Sequence, residues 1–152
     1  MTSDPYGMVF VQGGTFTMGG RNVTLSSFHM DAHLVTQREW YELMGTTIGR
    51  HYEAMIGQWA QMGWGRPVMR GEGDDHPMYF VRWHEAAEFA NRRSLRSGLT
   101  PVYAVSGTIV TWNRDTNGYR LPTEAEWECV DKARKTAIMT TKCPATIQGM
   151  IG

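Results

Sequence analysis

The sequence carries no net charge and has no long hydrophobic run. Fifteen Lys and Arg residues balance fifteen Asp and Glu residues over 152 positions, so the chain lacks the positive field that neutralises nucleic-acid phosphates. No apolar run approaches the ~18 residues of a membrane span, and the N-terminus has no basic stretch followed by an apolar one. We therefore expect one domain, cytoplasmic as encoded, that binds neither nucleic acid nor membrane.

Cysteine and lysine are scarce, and both are confined to the end of the chain. Residues 1–128 contain no Lys and no Cys but hold every aromatic residue, whereas residues 129–152 hold both cysteines, Cys129 and Cys143. Two cysteines without an export signal do not predict a disulfide, and they are too few ligands for structural zinc. The composition instead predicts a break between a domain portion at 1–128 and a divergent tail at 129–152.

Local patterns predict short strands and a few helices. Apolar segments separated by glycines at about 8–18 and a single alternating segment at 23–30 are typical of strands. Capping-box patterns that begin at Thr36 and Thr123 predict two helix starts. Helical spacing of apolar residues predicts a further helix over about 83–97.

Residues 46–77 are rich in glycine and weak in periodicity, which predicts a long loop with at most a helical turn near 52–62. Long loops in compact domains are often functional or mobile. Trp59, Trp64 and Arg66 are therefore the candidate ligand surface. The sequence favours the other interpretation, in which the aromatic residues of this loop pack on their own domain.

Four segments resemble the formylglycine-generating enzyme, or sulfatase-modifying factor, family. They occur in the family's order within residues 8–128. The most specific of them is Asn117-Gly-Tyr-Arg-Leu-Pro-Thr-Glu-Ala-Glu-Trp-Glu128. The others are Val9-Phe-Val-Gln-Gly-Gly-Thr-Phe-Thr-Met-Gly19, Val35-Thr-Gln-Arg-Glu-Trp40 and His76-Pro-Met-Tyr-Phe-Val-Arg-Trp83.

The resemblance implies an irregular α+β fold of the C-type-lectin-like kind, incomplete in this chain, with short strands, two main helices and long loops. Residues 1–128 then correspond to the N-terminal portion of such a domain. Trp127 is expected to pack in the core. The residues that look like scaffold, with no catalytic role, are Arg120, Leu121, Pro122, Glu126 and Trp127.

The family's catalytic motifs are not matched. In this family, the second half of the domain carries the calcium sites and, in the oxidases, the copper-binding cysteine pair. That second half is not matched here. Copper(I) needs soft thiolates held close together, and nothing in the sequence indicates that Cys129 and Cys143 are so held. We therefore predict no cofactor; copper or calcium enters only under the alternative functions below.

The tail has an explanation at the level of the gene. A reading frame built from the third base of one codon and the first two of the next permits Tyr-Lys-Val-Ser-Gly-Asn-Asn near Thr141. That string resembles the stretch that follows this helix in the family. We therefore expect a frameshifted end from about residue 129–134; the alternative is a natural short member with a divergent end.

These observations together predict a truncated, non-catalytic domain that serves as a ligand- or protein-binding scaffold. Its expected partners are a protein, a peptide or a second copy of itself. Two alternatives stay open: an oxidase that converts a sulfatase cysteine to formylglycine, and a lectin-like, metal-dependent binding module.

Overall fold

The computed structural model describes residues 8–135, which contain four helices and six short strands joined by irregular segments. The strands pair two by two and antiparallel, β1 with β4, β2 with β3 and β5 with β6. This mixture confirms the predicted α+β class. The elements are β1 Val9–Val11, β2 Gly14–Met18, β3 Arg21–Leu25, β4 Phe28–Met30, α1 Gln37–Met44, α2 Ile48–Gln61, α3 Trp83–Arg96, β5 Tyr103–Ser106, β6 Ile109–Trp112 and α4 Glu124–Lys135.

The chain forms two compact units. The terminal unit combines Met1–Ala32 with Pro122–Gly152, and the central unit is His33–Leu121. These units are defined by contacts and do not test the break that composition predicts at 128/129; helix α4 passes through that position. Whether residues 129–152 differ in origin from the rest stays a prediction, and residues 136–152 lie outside the described part.

The core of the terminal unit forms where α4 meets the two strand pairs. Phe16 and Cys129 are almost completely buried there, and Met18, Val23 and Val130 are among the apolar side chains packed around them. Lys132 donates to the carbonyl of Thr17 at 2.6 Å. A lysine on α4 thus ties the helix to β2 through a backbone oxygen.

The segment at 23–30 is not the single strand that its alternation predicts. It divides into β3 and β4, and the backbone N–H of Gly13 donates to the Ser27 hydroxyl at 3.0 Å between them. A side chain at Gly13 would lie 2.3 Å from the Leu25 carbonyl oxygen. The strand therefore bends because Gly13 lets two backbone segments approach closely.

The central unit is built on a stack of two aromatic rings from α1 and α3. Trp40 and Phe89 lie 5.2 Å apart and nearly parallel, at 6°. Both are buried, as are Ile48 on α2 and Val102 before β5. Each of these side chains contributes roughly 1.5–3 kcal/mol to stability by leaving water.

Helix α2 occupies Ile48–Gln61, 14 residues of the segment at 46–77, and the prediction of a continuous long loop there was wrong. Thr47 caps the helix, because its hydroxyl accepts the backbone N–H of Arg50 at 3.4 Å. Ile48 and His51, three residues apart on one face, are both buried. The glycines within the helix hide its period in the sequence, and burial against Trp40 outweighs their low helix propensity.

Polar side chains hold the β5–β6 hairpin to α3. The amide of Asn91 pairs with the backbone of Tyr103 in both directions, at 2.6 and 3.0 Å, as a neighbouring strand would. Ser94, fully buried, accepts the backbone N–H of Tyr119 at 2.8 Å. Gly118 fits beside Ser94 only because it has no Cβ, which would lie 2.3 Å from a carbonyl oxygen.

Among the helices of residues 8–135, none combines the length and the apolar character that crossing a membrane requires.

Candidate functional site

Apolar side chains are exposed where α2 ends. We call this surface the α2 tip and define it as Trp59, Met62, Trp64, Arg66 and Val68. The rings of Trp59 and Trp64 meet edge to face with centroids 5.7 Å apart. Trp64 is 60% exposed, Met62 52% and Val68 67%.

Local backbone geometry positions the two tryptophans of the tip. The helix ends at Met62, and Gly63 takes a left-handed conformation with φ of 71°. The backbone N–H of Trp64 then donates to the carbonyl of Trp59 at 2.9 Å. The structure therefore brings together Trp59 and Trp64 of the predicted ligand surface, and Arg66 follows them on the same exposed segment.

The loop after the tip is organised by one buried glutamine at the start of α1. The Nε2 of Gln37 donates to the carbonyls of Gly71 and Pro77 at 3.1 and 3.2 Å, and its Oε1 accepts the Gly73 N–H at 3.1 Å. Two backbone N–H groups of the helix start, those of Gln37 and Arg38, donate to carbonyls of the same loop. Sequence reasoning missed Gln37, because glutamine in a first helical turn is ordinary.

The same loop is closed by Tyr79 and His76. The Tyr79 hydroxyl accepts the Arg70 N–H at 2.8 Å and donates to the Gly71 carbonyl at 3.0 Å. A Cβ at Gly71 would lie 2.7 Å from the His76 ring. Hydrogen bonds from Gln37 and Tyr79 to the backbone therefore order residues 70–79, which follow the α2 tip in sequence.

A chain of polar contacts runs from Trp40 to Glu85 inside the central unit. The Nε1 of Trp40 donates to Thr46 Oγ1 at 2.9 Å, and Oγ1 lies 2.9 Å from His51 Nε2. The other ring nitrogen of His51 is 3.9 Å from Glu85 Oε2, longer than a hydrogen bond. Because these contacts join Trp40 of α1 to the buried His51 of α2, we interpret the chain as a support for α2.

A second surface is formed by residues of α3, β5 and β6, in which Trp83 and Trp112 are exposed and Tyr103 between them is buried. Trp83, Tyr103 and Trp112 form a row with successive ring centroids 6.1 and 6.4 Å apart. The guanidinium carbon of Arg114 lies 4.4 Å from the centroid of Trp112, and that of Arg120 lies 5.7 Å from it. These five residues, which we call the aromatic–arginine patch, were not predicted as a surface, although all of them were visible in the sequence.

The five predicted scaffold residues divide between the two units. In the central unit, Arg120 donates to the Leu121 carbonyl, and the Leu121 N–H donates to the Tyr103 hydroxyl at 3.0 Å. The exposed Pro122 begins the second segment of the terminal unit. In the same segment the buried Glu126 accepts the Thr123 N–H at 2.7 Å and completes a capping box.

The resemblance implies that Trp127 packs in the core, and that expectation was wrong. The side chain is 52% exposed. Helix periodicity explains the difference, because Ala125 and Cys129 face Phe16 and the position between them points to the opposite side of the helix.

The cysteines and the acidic side chains are the groups that bear on a copper or calcium site. Cys129 is fully buried and disulfide-bonded, which the sequence did not predict, and Cys143 lies outside the described part. Within residues 8–135, no three His, Cys, Asp or Glu side chains are grouped closely enough to hold a metal ion. Asp74 and Asp75 instead pair with Arg38 at 3.2 and 3.6 Å.

Comparison with known proteins gives relatives of two kinds. The chaperone protein LppX of Paenibacillus barcinonensis is 31% identical over 141 residues, which cover 80% of this chain and 43% of LppX. The serine/threonine-protein kinase Pkn1 of Chlamydia trachomatis serovar L2 is 26% identical over 147 residues, 86% of this chain and 20% of Pkn1. This chain thus spans less than half the length of either relative.

A solved structure and a family model agree on the fold. The crystal structure of CarF matches with a TM-score of 0.53 and 25% identity, over 81% of this chain and 55% of CarF. The model of the sulfatase-modifying factor enzyme 1-like domain matches residues 2–137. These residues are nearly the whole chain, and it therefore belongs to the sulfatase-modifying factor enzyme 1-like domain family.

Proposed function

We propose that this chain is a non-catalytic member of its family that binds apolar segments of other polypeptides through the α2 tip. The observation that carries the proposal is the exposed Trp64, which rests edge to face on the half-buried Trp59, with the exposed Met62 and Val68 in the same segment. Large exposed apolar patches on soluble domains often mark interaction sites.

The geometry of the tip suits a binding surface. The edge-to-face contact of the rings and the backbone hydrogen bond from Trp64 to Trp59 restrain the two indoles. Little conformational entropy is therefore lost when a partner docks. Met62 is flexible at its end and adapts to partners of different shape. An extended polypeptide with apolar side chains is a partner that such a surface fits.

One relative supports this choice of partner. LppX is named a chaperone protein, and a chaperone binds other polypeptides. Kinase activity is not proposed from Pkn1, because the chain covers 20% of that protein and the sequence has no glycine-rich phosphate loop.

The test is a titration of a fluorescein-labelled, uncharged peptide in which leucine alternates with serine. Trp64→Ser should weaken binding about 30-fold, which corresponds to the ~2 kcal/mol of an interface hot spot. Trp127→Ser is the matched control, since it removes another half-exposed tryptophan, in the terminal unit. Equal losses in the two variants, or no binding by the unaltered chain, would show that the tip is not a specific site.

An oxidase function is tested separately with reduced protein. Titration with copper(I) against a chelating competitor measures whether the two thiols of Cys129 and Cys143 hold the ion together. Because Cys129 lies in the core of the terminal unit, we expect no tight binding that depends on the thiols. Tight binding that Cys129→Ser abolishes would favour the oxidase and contradict the non-catalytic proposal.

A further inference from the structure

The aromatic–arginine patch exposes hydrogen-bond donors beside apolar ring faces. Trp83 is 57% exposed and Trp112 38%. Within residues 8–135, no hydrogen bond or ion pair engages the guanidinium of Arg114, which rests over Trp112. The indole N–H groups of Trp83 and Trp112 likewise bond to no acceptor in the described part of the chain.

The patch is also positioned in advance. Tyr103 and Trp112 are direct partners in the β5–β6 register, and the amide of Asn91 fixes the backbone of Tyr103. The contact with Trp112 restrains Arg114 before any ligand arrives. A guanidinium offers its N–H groups in a planar fork that fits a carboxylate with two parallel bonds.

We propose that this patch binds an acidic peptide segment of a partner protein, with a carboxylate on Arg114 and an adjacent apolar side chain on Trp83 and Trp112. Charge complementarity selects the carboxylate, because the Arg114 guanidinium lies over the exposed Trp112 ring and meets no acceptor in the described part of the chain. Asp115 is the acidic neighbour in sequence; its backbone N–H bonds to Asn113, and no ion pair joins its carboxylate to Arg114 within residues 8–135.

A nucleic acid could also bring anions and flat rings to such a surface. A peptide fits better, because the chain has no net charge that would attract a polyanion from a distance. The proposal uses none of the α2-tip residues, so it does not depend on the proposed function.

The experiment measures anisotropy of three fluorescein-labelled octapeptides, in which Glu alternates with Leu, Gln with Leu, and Glu with Ser. The Glu–Leu peptide should bind at least about tenfold more tightly than either of the others, since charged and apolar contacts both contribute. The difference in affinity between the Glu–Leu and Gln–Leu peptides should also decrease as the salt concentration rises, because salt screens the charged contact.

Variants connect this preference to the patch. Arg114→Gln should weaken binding of the Glu–Leu peptide about tenfold, and Arg114→Lys by less, because lysine keeps the charge but loses the planar fork. Arg50→Gln removes an exposed arginine of α2 and should change the affinity less than about twofold. Trp64→Ser should leave the difference between the Glu–Leu and Gln–Leu peptides unchanged, which separates this site from the α2 tip.

Several results would overturn the proposal. They are equal affinity for the Glu–Leu and Gln–Leu peptides, equal affinity for the Glu–Leu and Glu–Ser peptides, or equal effects of Arg114→Gln and Arg50→Gln. Tighter binding of a single-stranded oligothymidine than of the Glu–Leu peptide would assign the patch to nucleic acid instead.

Discussion

Removing the side-chain amide of Gln37 should loosen the loop at 70–79 without unfolding the central unit. Gln37→Ala deletes three hydrogen bonds, of 3.1 to 3.2 Å, to the backbone of Gly71, Gly73 and Pro77. At roughly 1 kcal/mol for each bond the loss is about 3 kcal/mol. Water replaces part of it, because Pro77 is exposed and the two glycines are half-buried; we therefore expect about 2 kcal/mol.

Two measurements check this value. With a slope of roughly 1–2 kcal/mol/M, the urea midpoint should fall by about 1–2 M. Amide hydrogen exchange should accelerate at Gly73, whose N–H loses its acceptor, whereas exchange in the interior of α3 should change only as global stability changes.

Gln61→Ala is the matched control, since Gln61 is an exposed glutamine at the end of α2. Its effect should stay within about 0.5 kcal/mol. The reasoning would be refuted if the two alanine variants unfolded at the same urea concentration and Gly73 kept its protection in both.

Two further substitutions test the packing of each unit. Gly118→Ala places a Cβ 2.3 Å from a backbone oxygen and should lower the free energy of unfolding, measured by thermal unfolding, by at least about 2 kcal/mol. At Gly57 a Cβ meets no atom within 4 Å, so Gly57→Ala should raise the free energy of unfolding by up to about 1 kcal/mol in the same assay. Glu126→Ala removes a buried cap of α4 and should lower the free energy of unfolding by about 1 kcal/mol. The control Glu124→Ala, at an exposed position, should lower it by at most about 0.5 kcal/mol. Equal losses of stability in the two glutamate variants would show that the cap contributes little.

The sequence predicted those elements whose signals are local. The capping boxes at Thr36 and Thr123 are present with both hydrogen bonds. The α3 helix runs over Trp83–Arg96, close to the predicted 83–97. Each of these features depends on side chains within a few residues of one another, so a single sequence is enough to find it.

The features that the sequence missed depend on distant contacts. Helix α2 is stabilised by burying Ile48 and His51, and the ring of His51 meets Trp40 of α1; its glycines and weak period do not reveal these contacts. Gln37 becomes important only because the loop 34 to 40 positions later returns to it. The exposure of Trp127 follows from which face of α4 meets Phe16, which a motif alone does not fix.

The candidate surfaces were predicted in part. The prediction of Trp59, Trp64 and Arg66 came from their aromatic and basic character in a supposed loop, and the structure places the two tryptophans in contact. The patch at Trp83, Trp112 and Arg114 could not be found in this way, because α3 and β6 meet only in the folded chain. A frameshifted origin of the tail stays a prediction, which the nucleotide sequence beyond codon 120 tests.

Binding at the α2 tip is tested most directly by amide hydrogen exchange with and without the leucine–serine peptide. The proposed function predicts that added protection is concentrated in residues 59–68, and that Trp64→Ser removes it while Trp127→Ser leaves it in place. Protection spread evenly over the chain, or absent from residues 59–68, would contradict the claim that this surface binds polypeptides.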